Sequence, residues 1–259
     1  MFRWLYLRRD ALYRTLTRAR RTAAGRRFGV LLLVGLLPPG HSFADSLFRL
    51  RSPSHVARLA LVLDQSQTVR IDRPVTQAGI VIGDLGVARD NPDYETLQVM
   101  NYILGGGGFS SRLMDNIRTK AGLAYSVGSF FAAGKSPGPF EIVMQTKNAS
   151  VSDAITRARQ EVEHVRTEAV TDDELQEARR YLTGSYPLRL DSNAKIADFI
   201  AQTWFYGLGL NYADVYIARV SAVTADDVLR VAREYLRPER FIEVVVTAGQ
   251  TPPAAPAAH

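Results

Sequence analysis

Arg118 and Tyr125, seven positions apart in the run RTKAGLAY, are the two side chains of this sequence best suited to chemistry. A phenol can donate a hydrogen bond to an oxygen that gains charge during a reaction. A guanidinium can bind a carbonyl or hold the phenol in place. Taken alone, the pair reads as a surface arginine and a half-buried strand tyrosine, so its context decides. Upstream stand Gly105, Gly106, Gly107 and Gly108, and then Ser111-Arg112-Leu113. Glycine loses the most backbone entropy on ordering, so four in a row predict a loop rather than a helix interior. That loop is either a rim where backbone approaches a ligand or a tight turn packing two helices. A phosphate loop is excluded, because Phe109-Ser110-Ser111-Arg112 stands where a lysine and a hydroxyl are needed. A dinucleotide fingerprint fails too, since the glycines follow a helical pattern and not a strand.

The elements that must position these residues can be read from periodicity. Residues 68–73 alternate at period two up to Pro74, and residues 78–82 form a second apolar run. Asp90-Asn91-Pro92-Asp93 reads as a helix entrance. Leu97, Met100, Ile103 and Leu104 then recur at three- and four-residue spacing and lead to the glycines. Residues 110–121 read as a short helix ended by Gly122. Residues 123–132 and 140–146 read as two strands of a hairpin, with Gly134, Pro137, Gly138 and Pro139 in the turn. A helix follows, with Val151, Ile155, Ala158, Val162, Val165 and Ala169 on one face. Thr171-Asp-Asp-Glu174 and Thr224-Ala-Asp-Asp227 open two more with capping-box form. Between these lies a helix over 194–205 with Ile196, Ile200 and Trp204 on one side, and residues 241–246 close the chain as a strand. Strands, then helices, then a strand predict an α+β fold: a largely antiparallel sheet with helices packed on one face.

The stretch from the glycines through S-R-L to the Arg/Tyr pair closely resembles the second half of the pitrilysin/insulinase-type zinc peptidases and of the mitochondrial processing peptidase subunits. The preceding NPDYETLQVMNYILGG and the following strand look like that family too, and the resemblance runs over residues 69–246. It implies a processing-peptidase-like half-domain in a family that carries two such halves. It also implies that Arg118 and Tyr125 act as accessory catalytic groups, projecting towards a zinc held by the other half. Gly105, Gly106, Gly107, Gly108 and Arg112 then line the substrate's path, although Arg112 could instead support the glycine loop. The family's zinc motif, H-x-x-E-H on a helix, is missing. The histidines are His41, His55, His164 and His259, and no two lie within five residues of each other. Gln160-Glu161-Val162-Glu163-His164 matches except for Gln160, a poor zinc ligand, and it falls after the hairpin instead of before it. Glu161, Glu163, His164 and Glu168 are expected to form a solvated helix face. No metal or other cofactor is assigned to this chain; zinc is expected on a partner subunit carrying H-x-x-E-H, with a peptide as substrate. The alternative is a degenerate or truncated domain that binds peptides or assembles with other chains without hydrolysis.

Other chemistries find no support. There is no cysteine, hence no thiol nucleophile, disulfide or cysteine metal site. No G-x-S-x-G marks a serine nucleophile. Asp172-Asp173 and Asp226-Asp227 lie at helix starts, where capping and the helix dipole account for them. The net charge of +6 is concentrated at the start: residues 1–44 hold nine arginines and one acid, leaving −2 for the remainder. A nucleic-acid partner is therefore not expected. Residues 28–37, FGVLLLVGLL, are too short for a stable membrane span. With the basic flank and Ser42-Phe43-Ala44 they have the layout of a signal peptide cleaved near Ala44, which predicts a periplasmic protein. The expected organisation is a signal peptide (1–44), a connecting segment (45–67), one peptidase-family domain (68–248) and a disordered tail (249–259).

Overall fold

Residues 66–248 are described by a computed structural model of the chain. The expected signal peptide, most of the connecting segment and the tail lie outside them. The strands are β1 (Gln67–Asp72), β2 (Ala78–Leu85), β3 (Ala124–Phe131), β4 (Pro139–Thr146) and β5 (Ile242–Thr247). Alternation puts Phe140, Ile142 and Met144 of β4 on one face, and Ile80 and Ile82 of β2 share it through the pairs Ile80↔Met144 and Ile82↔Ile142. Fully burying side chains of this size stabilises by about 1.5–3 kcal/mol each, and this fixes the register.

The sheet runs β1-β5-β2-β4-β3. Only β1 and β5 are parallel; every other neighbour pair is antiparallel. The final strand thus enters between the first two, and β3 is left at an edge. The helices are α1 (Tyr94–Asn101), α2 (Val151–Thr167), α3 (Asp172–Gly184), α4 (Asn193–Tyr206), α5 (Tyr212–Ala222) and α6 (Ala225–Tyr235). Both predicted capping boxes form, Thr171 with Glu174 and Thr224 with Asp227. The α+β architecture read from the sequence is the one observed.

Three local expectations are corrected. Helix α5 has no counterpart in the sequence reading: it starts at Asn211 without a side-chain cap bond, and its buried residues are Tyr212, Tyr216 and Val220. In α4 the stripe of Ile196, Ile200 and Trp204 turns away from the core, Trp204 being 82% exposed, while Thr203 is buried. Periodicity defines a face but does not say what covers it. In α2, Glu161 is buried, whereas Glu163 and His164 are exposed as expected, as is Glu168 just past its end; Ala169, expected on its apolar face, lies beyond the helix and is exposed.

Candidate functional site

The four glycines do not form a simple loop. Helix α1 widens into a π-helical turn, Tyr102–Gly106, that contains the first two. Gly105 is buried against β3: a Cβ there would lie 2.5 Å from Ser129 Oγ and 2.6 Å from its backbone nitrogen. The approach is locked by Asn101, whose Nδ2 donates to Ser129 O at 3.0 Å while Ser129 Oγ donates back to Asn101 Oδ1 at 2.8 Å. Gly108 takes φ +59°, a left-handed conformation that favours glycine, and turns the chain into the 3₁₀ segment Gly108–Ser110. Of the two glycine readings, close packing holds for Gly105. Gly106 and Gly108 are exposed.

A second π-helix, Met114–Lys120, carries Arg118 in its last turn. π-Helical turns are rare and recur at functional sites. This one ends at Gly122, whose N–H donates to Arg118 O at 3.0 Å and whose φ of +63° redirects the chain into β3. The β3–β4 ladder then slips: Ala124 pairs with Thr146 and Ser126 with Gln145, so Tyr125 is the extra residue of a β-bulge. A bulge re-aims the side chain of its unpaired residue. Tyr125 is accordingly 51% exposed on an edge strand.

Arg118 and Tyr125 line one cavity of about 350 Å³ together with Gly122, Leu123, Ala124 and Lys147. Lys147 escaped the sequence reading because it lies 22 positions from Tyr125 and arrives only through the pairing of β3 with β4. Phe109 escaped it too. It is 73% exposed, and the Arg118 guanidinium sits 4.8 Å from its ring centroid. That cation–π contact links the glycine segment to Arg118 and is worth about 0.5–1 kcal/mol at an exposed site. The cavity therefore offers a phenol donor and two cations, a set suited to oxygen atoms carrying or gaining negative charge.

Arg112 is placed elsewhere. Its Nε and Nη2 donate to the two carboxylate oxygens of Glu174 at 2.6 and 2.8 Å. Glu174 also closes the cap of α3 on the Thr171 N–H at 2.9 Å. Burial opposes ionisation of Glu174, but the bonds from Arg112 and Thr171 outweigh it and hold the carboxyl below its ordinary range. This pair borders a different cavity of about 510 Å³, shared with Phe109, Asn116, Glu161 and His164. Burial raises the Glu161 carboxyl above its usual range, partly offset by His164 and Arg112. Glu161 accepts from Asn116 Nδ2 at 2.8 Å, with His164 Nδ1 at 3.8 Å. One carboxylate and one imidazole do not make a zinc site. Among the described residues no cluster of three or more His, Cys, Asp or Glu could hold a metal.

Comparison with known proteins shows the family. Residues 41–182 match the family model described as the peptidase M16 inactive domain. The chain belongs to the peptidase M16 family. It is 34% identical over 176 residues to a protein of Streptomyces coelicolor named as an uncharacterized zinc protease, covering 68% of this chain and 38% of that one. A Helicobacter pylori protein named as a non-peptidase homolog, YmxG, is 28% identical over 144 residues, 52% of this chain and 31% of its own. The crystal structure of a peptidase M16 inactive domain from Pseudomonas fluorescens superposes with a TM-score of 0.67 at 30% identity, covering 71% of this chain and 44% of that one. The chain thus spans less than half the length of these M16 relatives and corresponds to the noncatalytic, zinc-free half. No helix among the described residues is long and apolar enough to cross a membrane.

Proposed function

We propose that this M16 domain completes a peptide-hydrolysing site on a partner chain in the periplasm, the partner carrying H-x-x-E-H and its zinc. The observation that carries the reading is the β-bulge that turns Tyr125 out of the sheet into the cavity lined by Arg118. Metal chemistry stays with the partner in this reading, since the described residues hold no group of ligands suited to zinc. Within the composite site the Tyr125 hydroxyl donates to the carbonyl oxygen of the scissile peptide as it gains charge. Arg118, braced by Phe109, binds a neighbouring peptide carbonyl or holds the phenol. Gly106, Gly107 and Gly108 form the rim at which peptide backbone enters, with Gly105 packed on β3 beneath it, and Arg112 supports that rim through its pair with Glu174. The exposed stripe of Ile196, Ile200 and Trp204 supports assembly with another chain or half, because apolar patches of this kind mark interaction surfaces.

The test mixes this chain with a candidate partner bearing H-x-x-E-H and measures hydrolysis of a flexible peptide. Tyr125→Phe should lower kcat by roughly 10²-fold, as loss of one oxyanion donor does, with little change in KM. Arg118→Ala should put a larger share of its effect into KM. A rate that does not change with Tyr125→Phe would make Tyr125 a packing residue. The second reading, a peptide-binding or assembly module without hydrolysis, is favoured by the non-peptidase name of the Helicobacter pylori relative. It predicts a partner whose hydrolysis rate does not depend on adding this chain.

A further inference from the structure

Away from the Arg118–Tyr125 cavity, a cleft of about 470 Å³ opens between the start of α1, residues 186–189, α4 and α5. This volume lies in the usual range for small-molecule sites. Its walls are unusually rich in tyrosine: Tyr94, Tyr186, Tyr206, Tyr212 and Tyr216. Tyr186 and Tyr216 stack with centroids 4.5 Å apart and planes 26° from parallel. Arg89, Arg189 and Lys195 bring three cations to the cleft, and Asp198 is the single acid lining it.

These charges are not equally available. Arg89 lies 3.7 Å from the Tyr94 ring centroid and donates to the Tyr212 hydroxyl at 2.5 Å. That hydroxyl donates in turn to the buried Glu95 at 2.6 Å, which Arg219 also approaches at 3.3 Å. Lys195 is held by Asp191 at 2.8 Å and by Leu188 O at 2.8 Å. Arg189 differs. It is exposed, sits 5.3 Å from the Tyr186 ring and 5.8 Å from the Tyr216 ring, and pairs with no carboxylate among the described residues. A guanidinium with free N–H groups can receive a carboxylate on its fork, and the half-buried Tyr206 and Phe199 that line the same cleft offer a flat ligand group an aromatic wall.

A second, independent observation comes from Tyr216. It is 2% exposed, it lines the cleft, and its hydroxyl has no hydrogen-bond partner. Buried hydroxyls are nearly always satisfied by protein or ordered water, so this one is a donor that a water or a ligand oxygen can take up. Burial pushes this phenol up to about 12, with Arg189 opposing, so at neutral pH it keeps its proton and can donate. Tyr186 is also raised by burial and is likewise neutral.

We propose that the cleft binds an aromatic carboxylate, with its carboxylate on the Arg189 guanidinium, its ring against the half-buried Tyr206 and Phe199 of α4 and an oxygen accepting from the Tyr216 hydroxyl. A small aromatic acid and the C-terminal aromatic residue of a peptide share this chemistry. A lone carboxylate suits the cleft better than a phosphate, since Asp198 on the wall would repel a second negative charge.

The experiment titrates the full chain by calorimetry with N-acetyl-tyrosine, its neutral amide, and the peptide Ala-Ala-Ala-Tyr with a free carboxylate. Saturable one-to-one binding of the acid is expected, with the amide at least about tenfold weaker, the scale of losing a charged hydrogen bond. Arg189→Gln should abolish the preference for acid over amide. Tyr216→Phe should weaken binding of the acid about fivefold, the scale of one neutral hydrogen bond, without lowering Tm, because it deletes an unpartnered hydroxyl. If the peptide binds more tightly than the free acid, the site reads peptide C-termini; equal affinity assigns it to the small acid. Equal binding of acid and amide, no saturable binding, or affinity untouched by Tyr216→Phe would overturn the proposal.

Discussion

Gly105→Ala adds one methyl group where the glycine segment meets the sheet. The new Cβ would lie 2.5 Å from Ser129 Oγ, 2.6 Å from Ser129 N and 2.7 Å from Leu113 Cδ1. The leucine methyl can swing aside. Ser129 cannot, because β3 pairs Ser129 with Ile142 of β4 and Asn101 holds both its hydroxyl and its carbonyl. The π-helical turn must therefore back away from the strand. Overpacking of this kind costs about 1–3 kcal/mol. Alanine's better helix propensity returns up to about 1 kcal/mol. Because the clash is with backbone as well as side chain, the upper part of that range, about 2–3 kcal/mol, applies, and the net loss of about 1–2 kcal/mol should lower Tm by roughly 2–8 °C in a domain of this size. Gly184→Ala is the control, since Gly184 ends α3 with nothing within 4 Å of an added Cβ and φ outside the left-handed region. It should leave Tm unchanged or raise it. Circular dichroism melts of the two variants beside the wild type decide the matter. A Gly105→Ala variant as stable as the wild type would refute the close-packing argument and return Gly105 to a mobile rim.

The Arg112–Glu174 pair should make stability depend on acid in one direction. Its carboxyl is held below the ordinary 4.5, so the stabilisation is present in full above that value and is lost as pH falls through the lower folded-state value. Glu174→Gln should cost about 1–3 kcal/mol at neutral pH, and the gap in urea midpoints should close as pH drops below about 4.5; a gap that persists at pH 2 contradicts the pairing. Purified chain should contain no stoichiometric zinc by elemental analysis, and about one tightly bound zinc per chain, removed by His164→Ala, would reverse the metal assignment. Mass spectrometry of exported protein should find a chain starting near residue 45, whereas an intact Met1 on a cytoplasmic protein would reverse the proposed location.

Local signals in the sequence specified much of the frame. Thr171 with Glu174 and Thr224 with Asp227 set two helix starts through bonds spanning three residues, and both capping boxes form. The hairpin of β3 and β4 follows from alternation on either side of a Gly/Pro turn. The motif RTKAGLAY marked Arg118 and Tyr125, and both do line one cavity. Helix α5 escaped notice because Asn211 makes no capping bond, leaving only the spacing of Tyr212, Tyr216 and Val220.

What remained was set by contacts between residues far apart in the chain. Pattern alone could not place β5 between β1 and β2, since that choice joins Val69 to Val244. Nor could it seat Gly105 on Ser129, bring Lys147 beside Tyr125, or bury Glu161 under Asn116. The reason is physical. A capping box or an apolar stripe is decided by energies within one or two turns of chain, so a short window of sequence contains it. A bulge that re-aims Tyr125, or a stripe of Ile196, Ile200 and Trp204 left facing outward, is decided by which distant surface takes the competing space. Sequence supplied the candidate pair; tertiary packing turned Tyr125 outward.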